Sequence, residues 1–194
     1  GALAVPADVA DRAQVRGLVA ATLERHQRVD GLVNNAGTSL HAPLAEVDPD
    51  EYRKVLDTNV VSLLAMTQAV LPAMRERRFG RIVNISSGSS RLVLPGDGAY
   101  CATKSAVNML SAVFRAELAD DGIAVSLLLP SMTGTEFGDN MFQLGVEPWP
   151  GAVVHRPEYV AEVVLRMLRT GEDSFDIPHG PEQPDIADIA RLSA

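Results

Sequence analysis

Tyr100 and Lys104 are the residues whose types and spacing most directly indicate chemistry in this sequence. They are four residues apart, which on a helix places a phenol and an ammonium on one face, about one turn apart. An ammonium about 4 Å away would lower the pKa of the tyrosine by about three units at an effective dielectric constant of about 20. A tyrosine with such a pKa could act as an acid or base near neutral pH.

Four serines precede this pair, and one of them could hold a substrate oxygen while the tyrosine gives or takes its proton. They follow residues 81–85, an apolar run that predicts a buried strand, and they precede a loop rich in Gly, Pro and Asp. That loop leads into the helix that carries the pair. The candidates are Ser86, Ser87, Ser89 and Ser90.

The spacing alone does not establish the chemistry. About 3% of shuffled chains of this composition would contain Tyr-x-x-x-Lys by chance. A surface lysine beside a core tyrosine explains the spacing equally well. Lys104 is, however, one of only two lysines among 17 basic residues. An ammonium can join a proton relay, whereas a guanidinium is effectively never deprotonated.

Composition limits the classes of function. The 194 residues suit one domain, 46% of them are hydrophobic, and the net charge is -8. An acidic chain without a basic block argues against nucleic acid or an anionic membrane as a partner. No metal site is expected from four scattered histidines, and the single Cys101 fits a reducing cytoplasm.

Apolar runs and helical patterns alternate along the chain, which predicts an α/β fold. Strands are predicted at 2–5, 31–34, 81–86, 123–129 and 174–178, and helices at 11–27, 48–75, 99–119 and 157–170. The strands are apolar on both faces, which is typical of a doubly wound parallel sheet, Rossmann-like, in three α/β/α layers. We expect a single domain over 1–194, with a segment poor in helix at 131–156 and a C-terminal tail at 180–194.

Polar or turn-forming residues follow four of these strands. Asp8, Asn35, Ser87 and Pro130 each lie at a predicted carboxyl end. Ligands of parallel sheets bind at that edge, so we expect these segments to converge on one site.

In order and spacing, these motifs resemble the short-chain dehydrogenase/reductase family. The resemblance runs from Ala2 to about residue 180 and rests on Asp8-Val9, Asn34-Asn35-Ala36-Gly37, Asn59, Ser86-Ser87 and Tyr100-x-x-x-Lys104. The family serine lies thirteen residues before the tyrosine, which selects Ser87 and leaves Ser86 a structural role.

The resemblance implies an NAD(P)-dependent oxidoreductase that interconverts an alcohol and a ketone or aldehyde by hydride transfer. Tyr100 would be the acid–base group, Ser87 would orient the substrate oxygen, and Lys104 would lower the tyrosine pKa and bind the nicotinamide ribose. Asn59 would hold a water that links the lysine to solvent. NAD and NADP are both open, because the strand end that distinguishes them is not in the sequence.

The resemblance also implies cofactor contacts. Asp8 and Val9 would contact adenine, and Asn35, Ala36 and Gly37 would line the adenosine side, where small residues leave room. The other predicted cofactor-binding residues are Tyr100, Lys104, Pro130, Thr133 and Thr135. The family pattern Pro-Gly-x-Ile/Val-x-Thr has Ser131 here in place of glycine.

The opening strand of the family, its Gly-rich phosphate loop and its second strand have no counterpart here, a difference of roughly 50 residues. We therefore expect the sequence to be part of a longer polypeptide. A chain that began at Gly1 should bind dinucleotide poorly, and 31–34 would form an open edge.

Segment 131–156 lies where the family builds its substrate lid. Its apolar residues predict a cover for a bulky hydrophobic alcohol or ketone, or else a lid that simply packs on the core. The substrate-binding candidates are Ser87, Met132, Phe137 and Trp149. His155 is either a hinge residue or a solvated side chain.

Helices 49–75 and 99–119 commonly pair across subunits in the family, which implies a homodimer or homotetramer. One alternative is a catalytically silent homologue that serves as an oligomerisation or partner-binding module. A serine hydrolase fits less well, since the sequence has no Gly-x-Ser-x-Gly elbow.

Overall fold

The computed structural model of the protein describes residues 2–178, which form a four-stranded parallel sheet with helices on both faces. The tail predicted at 180–194 lies outside the described residues. The strands, in spatial order, are β1 (Gly31–Asn34), β2 (Gly80–Ile85), β3 (Ile123–Leu129) and β4 (Ser174–Asp176). The helices are α1 (Arg12–His26), α2 (Pro49–Leu56), α3 (Ser62–Arg77), α4 (Gly98–Leu118), α5 (Phe137–Asn140) and α6 (Pro157–Thr170).

Three helices begin where the sequence predicts, at capping residues or at a proline in the first turn. The Asp11 carboxylate accepts hydrogen bonds from the first backbone N–H groups of α1. The Asp48 carboxylate does the same for α2, which has Pro49 in its first turn. Pro157 occupies the corresponding place in α6. The predicted starts of these three helices are confirmed.

The core lies on both faces of the sheet, as alternation along each strand requires. Ile82 of β2 belongs to a cluster with residues of α1, α3 and α4, whereas its neighbour Val83 packs with Tyr159, Val163 and other residues of α6. Two helical layers therefore enclose the sheet, and the predicted three-layer α/β/α class is confirmed.

The predicted strand at Ala2–Val5 is wrong. Residues 2–7 have no regular structure and are mostly exposed, because β1 forms the edge of the described sheet and no strand lies beside them. A strand needs the backbone groups of a neighbour to pair with. Asp8 therefore ends no strand. Its carboxylate instead accepts a hydrogen bond from the backbone N–H of Ala10, in the turn that leads into α1.

The long helix predicted from Asp48 is interrupted by a turn of π-helix at Asp57–Val61. There the backbone N–H of Ser62 donates to the carbonyl of Asp57, and the Ser62 hydroxyl donates to the carbonyl of Thr58. By length and composition, Pro49–Arg77 would suffice to cross a membrane, but half of its most apolar window is buried in the core.

The strand registers bring the predicted site residues to one edge. Asn34 pairs with Asn84, and Asn84 pairs with Leu127, so β1, β2 and β3 end side by side. The segments that follow these strands begin at Asn35, Ser86 and Pro130.

Candidate active site

The first turns of α4 place Tyr100 and Lys104 beside each other. The Lys104 ammonium lies 5.8 Å from the centre of the Tyr100 ring. Its side chain is only 4% exposed, and its Nζ donates to the carbonyl of Ile85 at the end of β2 (2.9 Å). An ammonium has three N–H donors, so two remain for a ligand.

Burial shifts the pKa values of both groups. It raises the pKa of Tyr100 to about 12, and the neighbouring Ser87 hydroxyl opposes that shift only in part. It lowers the pKa of Lys104 to about 8. The predicted lowering of the tyrosine pKa by Lys104 is therefore wrong for this arrangement, since desolvation of the phenol is the largest effect.

Ser87 caps a short 3-10 turn at Gly88–Arg91. Its hydroxyl accepts a hydrogen bond from the backbone N–H of Ser89 and lies 2.8 Å from the Ser89 hydroxyl. It is also close enough to the Tyr100 phenol to lower the pKa of that group. Ser87, Tyr100 and Lys104 thus form one cluster.

The neighbouring serines hold the loop in place. The Ser86 hydroxyl is buried and donates to the side-chain oxygen of Asn108 on α4 (2.5 Å). Asn108 in turn donates to the hydroxyl of Ser90 (2.9 Å). These bonds tie the loop after β2 to α4, which agrees with the structural role expected for Ser86.

Asn59 lies in the π turn and is 3% exposed. Its amide nitrogen donates to the carbonyl of Thr38 (2.9 Å) and to the hydroxyl of Thr103 (3.0 Å). Its oxygen accepts from the Thr38 backbone N–H (2.8 Å). Both amide donors are therefore engaged by protein groups. The side chain joins segments, and a water held at this residue would have to bind the second lone pair of Oδ1 or the backbone.

A cavity of about 160 Å³ lies beside β1, between residues of α1, the π turn and α3. Of the predicted adenosine-side residues, it is lined by Val9, Asn35 and Ala36, together with Asn59. A side chain at Gly37 would crowd two of the site residues, since a Cβ would lie 3.3 Å from Asn59 Oδ1 and 3.5 Å from Lys104 Nζ.

The described residues fit one part of a dinucleotide. The Gly37 backbone and the two spare donors of Lys104 suit ribose hydroxyls, whereas the cavity beside β1 is lined by neither residue and mainly by apolar side chains. The Ser131 hydroxyl, just after β3, is buried without a partner in the described chain and could be satisfied by a polar ligand group. A cavity of this size is smaller than a whole dinucleotide requires.

The segment after β3 is bonded to the loop that carries Ser87 and, within itself, to His155 and Phe137. The Pro130 carbonyl accepts from the backbone N–H of Gly88, next to Ser87 (2.9 Å). Thr133 pairs with His155 as a short parallel bridge, and its hydroxyl donates to the carbonyl of Ser131 (3.0 Å). The Thr135 hydroxyl accepts from the Phe137 backbone at the start of α5.

The predicted substrate residues are brought together only in part. The Phe137 ring lies 5.8 Å from the Tyr100 ring, with a tilt of 51°. Met132 is buried, whereas Trp149 is half exposed in a turn. His155 is 2% exposed, and its Nε2 donates to the Pro178 carbonyl (2.9 Å), so it is not a solvated side chain.

Three residues of the site were missed from the sequence, namely Thr38, Thr103 and Asn108. Each makes its hydrogen bond to a residue at least 18 positions away in the chain. A buried Asn59 among apolar neighbours was the only signal that such partners exist. Within residues 2–178 no three His, Cys, Asp or Glu side chains form a metal-binding group.

The fold is that of a doubly wound α/β protein. In this class of protein, ligands bind beyond the carboxyl ends of the strands, which is where the candidate residues lie. A family model described as short chain dehydrogenase matches residues 1–143. The chain belongs to the short-chain dehydrogenase family.

Known proteins agree with this assignment. An uncharacterized oxidoreductase of Methylorubrum extorquens is 38% identical over 156 residues, which are 80% of this chain and 62% of the relative. The chain thus spans less than two thirds of that protein.

Solved structures share the fold. A 3-ketoacyl-(acyl-carrier-protein) reductase from Brucella melitensis, complexed with NADH, matches with a TM-score of 0.84 and 27% identity, over 93% of this chain and 79% of the neighbour. A gluconate 5-dehydrogenase from Burkholderia cenocepacia, in complex with NADP and tartrate, matches with a TM-score of 0.79 and 28% identity. The match covers 89% of this chain and 72% of the neighbour. The predictions of family and of enzyme class are confirmed, and the bound cofactors of these neighbours agree with the predicted NAD or NADP.

Proposed function

We propose that the protein is an NAD(P)-dependent oxidoreductase that interconverts an alcohol and a ketone or aldehyde. The observation that carries the proposal is the meeting of Ser87, Tyr100 and Lys104 at the carboxyl edge of the parallel sheet. Family membership supports the reaction class.

Tyr100 and Lys104 have different roles in the proposed proton transfer. In the direction of reduction, the Tyr100 phenol donates its proton to the substrate oxygen, which the Ser87 hydroxyl orients. A pKa of about 12 keeps the phenol protonated near neutral pH. Lys104, with a pKa of about 8, is near the range in which an amine can pass a proton on. The nicotinamide cofactor, when bound, supplies or accepts the hydride.

Cofactor binding would use residues at the carboxyl edge of the sheet. Lys104 and Tyr100 would hold the nicotinamide ribose, and Val9 with Asn35–Gly37 would line the adenosine side. Thr133 and Thr135 would contact the carboxamide end. Asp8 remains a candidate for adenine, since within the described chain its carboxylate accepts only from the Ala10 backbone and has further acceptor positions.

We also propose that segment 131–156 is a lid over a bulky hydrophobic substrate. The Phe137 ring lies 5.8 Å from the Tyr100 ring, and further apolar side chains are exposed in segment 131–156 and in the loop at 92–94. They are Leu92, Val93, Leu94, Met141, Leu144 and Trp149. Similar proteins include a 3-oxoacyl-[acyl-carrier-protein] reductase of Synechocystis, whose named substrate class carries an acyl chain.

A homodimer or homotetramer through the helical stretches 49–75 and 99–119 is part of the proposal. Val61, Met109 and Val113 are exposed apolar residues on these helices, with 44%, 66% and 44% exposure. We place the protein in the cytoplasm, which the free, buried Cys101 supports.

The test is turnover of NADH or NADPH with a panel of ketones and aldehydes that differ in apolar bulk. Tyr100→Phe should lower kcat by about 100-fold or more, because the proton donor is lost. The variant should still bind the cofactor, as measured by quenching of protein fluorescence. Tyr52→Phe, which removes a hydroxyl from α2, should remain active.

Two outcomes would contradict the proposal. Substantial turnover by Tyr100→Phe would remove the acid–base role. Absence of nicotinamide-dependent turnover in the unmodified, folded protein would favour the silent oligomerisation or partner-binding module instead.

A further inference from the structure

Thr103 has a hydroxyl at the junction of three segments of the site. The residue is fully buried on α4, between Tyr100 and Lys104. Its Oγ1 donates to the backbone carbonyl of Tyr100 (2.8 Å) and accepts from Nδ2 of Asn59 (3.0 Å). One oxygen atom therefore links the first turn of the catalytic helix to the π turn.

The link continues to the loop that faces the cofactor cavity. The Asn59 amide makes two hydrogen bonds to the backbone of Thr38, one through its nitrogen and one through its oxygen. Thr38 directly follows Gly37, where a Cβ would lie 3.5 Å from Lys104 Nζ. The bonds thus set the distance between the Gly37 backbone and the Lys104 ammonium.

We propose that Thr103 is a positioning residue, which through Asn59 holds the 35–38 loop in register with Tyr100 and Lys104. The proposal rests on the proposed function, because its consequence is for proton transfer between these groups. Thr103 does not touch substrate or cofactor. It acts by fixing where the phenol and the ammonium stand relative to the backbone that lines the cavity.

The chemistry of a hydroxyl explains the choice of residue. The site requires a group that accepts one hydrogen bond and donates another, which a hydroxyl does with a single atom. An aliphatic side chain of the same shape would leave one N–H of the buried Asn59 without a partner. Asn59 would then turn or shift to find one, and the loop bonded to it would follow.

The test compares two changes at Thr103. Thr103→Val removes the hydroxyl and keeps the volume, and Thr103→Ser keeps the hydroxyl. The matched control is Ser111→Ala. The Ser111 hydroxyl is equally buried on α4, accepts from Nδ2 of Asn84 (2.9 Å) and donates to the carbonyl of Val107 (2.7 Å), but it lies two turns away from the chemistry.

The kinetic expectation is a selective effect on kcat. Thr103→Val should lower kcat about tenfold or more, since small misplacements of reacting groups are costly, while the KM for cofactor changes less. Thr103→Ser should recover most of the loss. Ser111→Ala should lose a similar amount of thermal stability, yet keep kcat within about twofold.

A second readout does not depend on turnover. The backbone N–H of Thr38 donates to Asn59 Oδ1, so its hydrogen exchange reports on the link directly. Exchange at Thr38 should be faster in Thr103→Val than in the unmodified protein, and unchanged in Thr103→Ser and Ser111→Ala.

The outcomes separate this proposal from the proposed function. Normal kcat and normal exchange at Thr38 in Thr103→Val would overturn the positioning role. Equal losses of kcat in Thr103→Val and Ser111→Ala would overturn it too, by assigning the effect to general helix packing. If the unmodified protein has no turnover, the proposed function fails, and exchange at Thr38 still decides the role of Thr103.

Discussion

Replacing Lys104 by methionine should stabilise the protein at neutral pH while it removes an ammonium from the site. The side chain of Lys104 is 4% exposed, so its charge is largely removed from water in the folded protein. Methionine is unbranched and of similar length, and it fills such a space without a charge. The stabilisation should depend on pH, because only the protonated amine opposes burial.

The magnitude follows from the pKa of Lys104, which burial lowers from 10.5 to about 8. A difference of about two and a half pKa units corresponds to about 3 kcal/mol. The folded protein binds this proton less tightly than the unfolded chain does, so the cost of charging is fully present below about pH 8. It disappears as the pH rises towards 10.5. The cost is thus about 3 kcal/mol at pH 7 and about 1 kcal/mol at pH 10.

The assay is urea unfolding of both proteins at pH 7 and pH 10, followed by far-ultraviolet circular dichroism. The difference in the free energy of unfolding, variant minus unmodified protein, should fall by about 2 kcal/mol between these pH values. The variant also loses the hydrogen bond to the Ile85 carbonyl, which costs about 1 kcal/mol. This loss is the same at pH 7 and pH 10, so it does not affect the change between the two pH values.

The other lysine provides the matched control. Lys54 is exposed and paired with Glu51, which raises rather than lowers its pKa. Lys54→Met should therefore show no such fall between pH 7 and pH 10. A stability difference for Lys104→Met that stays constant over this range would refute the reasoning that the ammonium is buried at a cost.

Two further predictions concern backbone and surface. Gly122→Ala should destabilise the protein by about 2 kcal/mol or more, because the new Cβ would lie 2.3 Å from the carbonyl oxygen of Arg78 at a φ of +75°. Gly17→Ala, in α1 with open space around it, should stabilise by about 0.5–1 kcal/mol, and thermal unfolding distinguishes the two signs. Met109→Asp should reduce the mass measured by light scattering to that of a monomer, whereas Leu165→Asp, at 52% exposure on α6, should not. An unchanged mass for Met109→Asp would count against assembly through α4.

Local signals in the sequence predicted most of the fold. Asp11, Asp48 and Pro157 act on the few backbone groups next to them, so their effect is visible in the sequence itself. The apolar run 123–129 became β3 with its predicted bounds. Residues 2–5 have the same apolar character, but a strand depends on a neighbour, and no other strand lies next to them in the described chain.

The connections within the site could not be predicted in the same way. Asn59 and Thr103 are 44 positions apart, and Ser86 and Asn108 are 22 apart, so no spacing rule relates them. The π turn that aims Asn59 at Thr38 depends on which carbonyl the backbone N–H of Ser62 selects. These choices are made by packing between elements, which the sequence of any one element does not contain.

The opposite pKa shifts of Tyr100 and Lys104 have one physical cause, and that cause supports the roles proposed for them. The ordinary pKa values of the two groups, 10.0 and 10.5, are close together, and burial separates them to about 12 and about 8. Low polarity favours the neutral form of each group, which is the protonated phenol and the unprotonated amine. Groups whose pKa values are driven apart are suited to different steps of proton transfer, with the phenol as donor and the amine as the group that exchanges protons near neutral pH. The burial that costs the fold free energy at Lys104 therefore agrees with the proton roles proposed for the two groups.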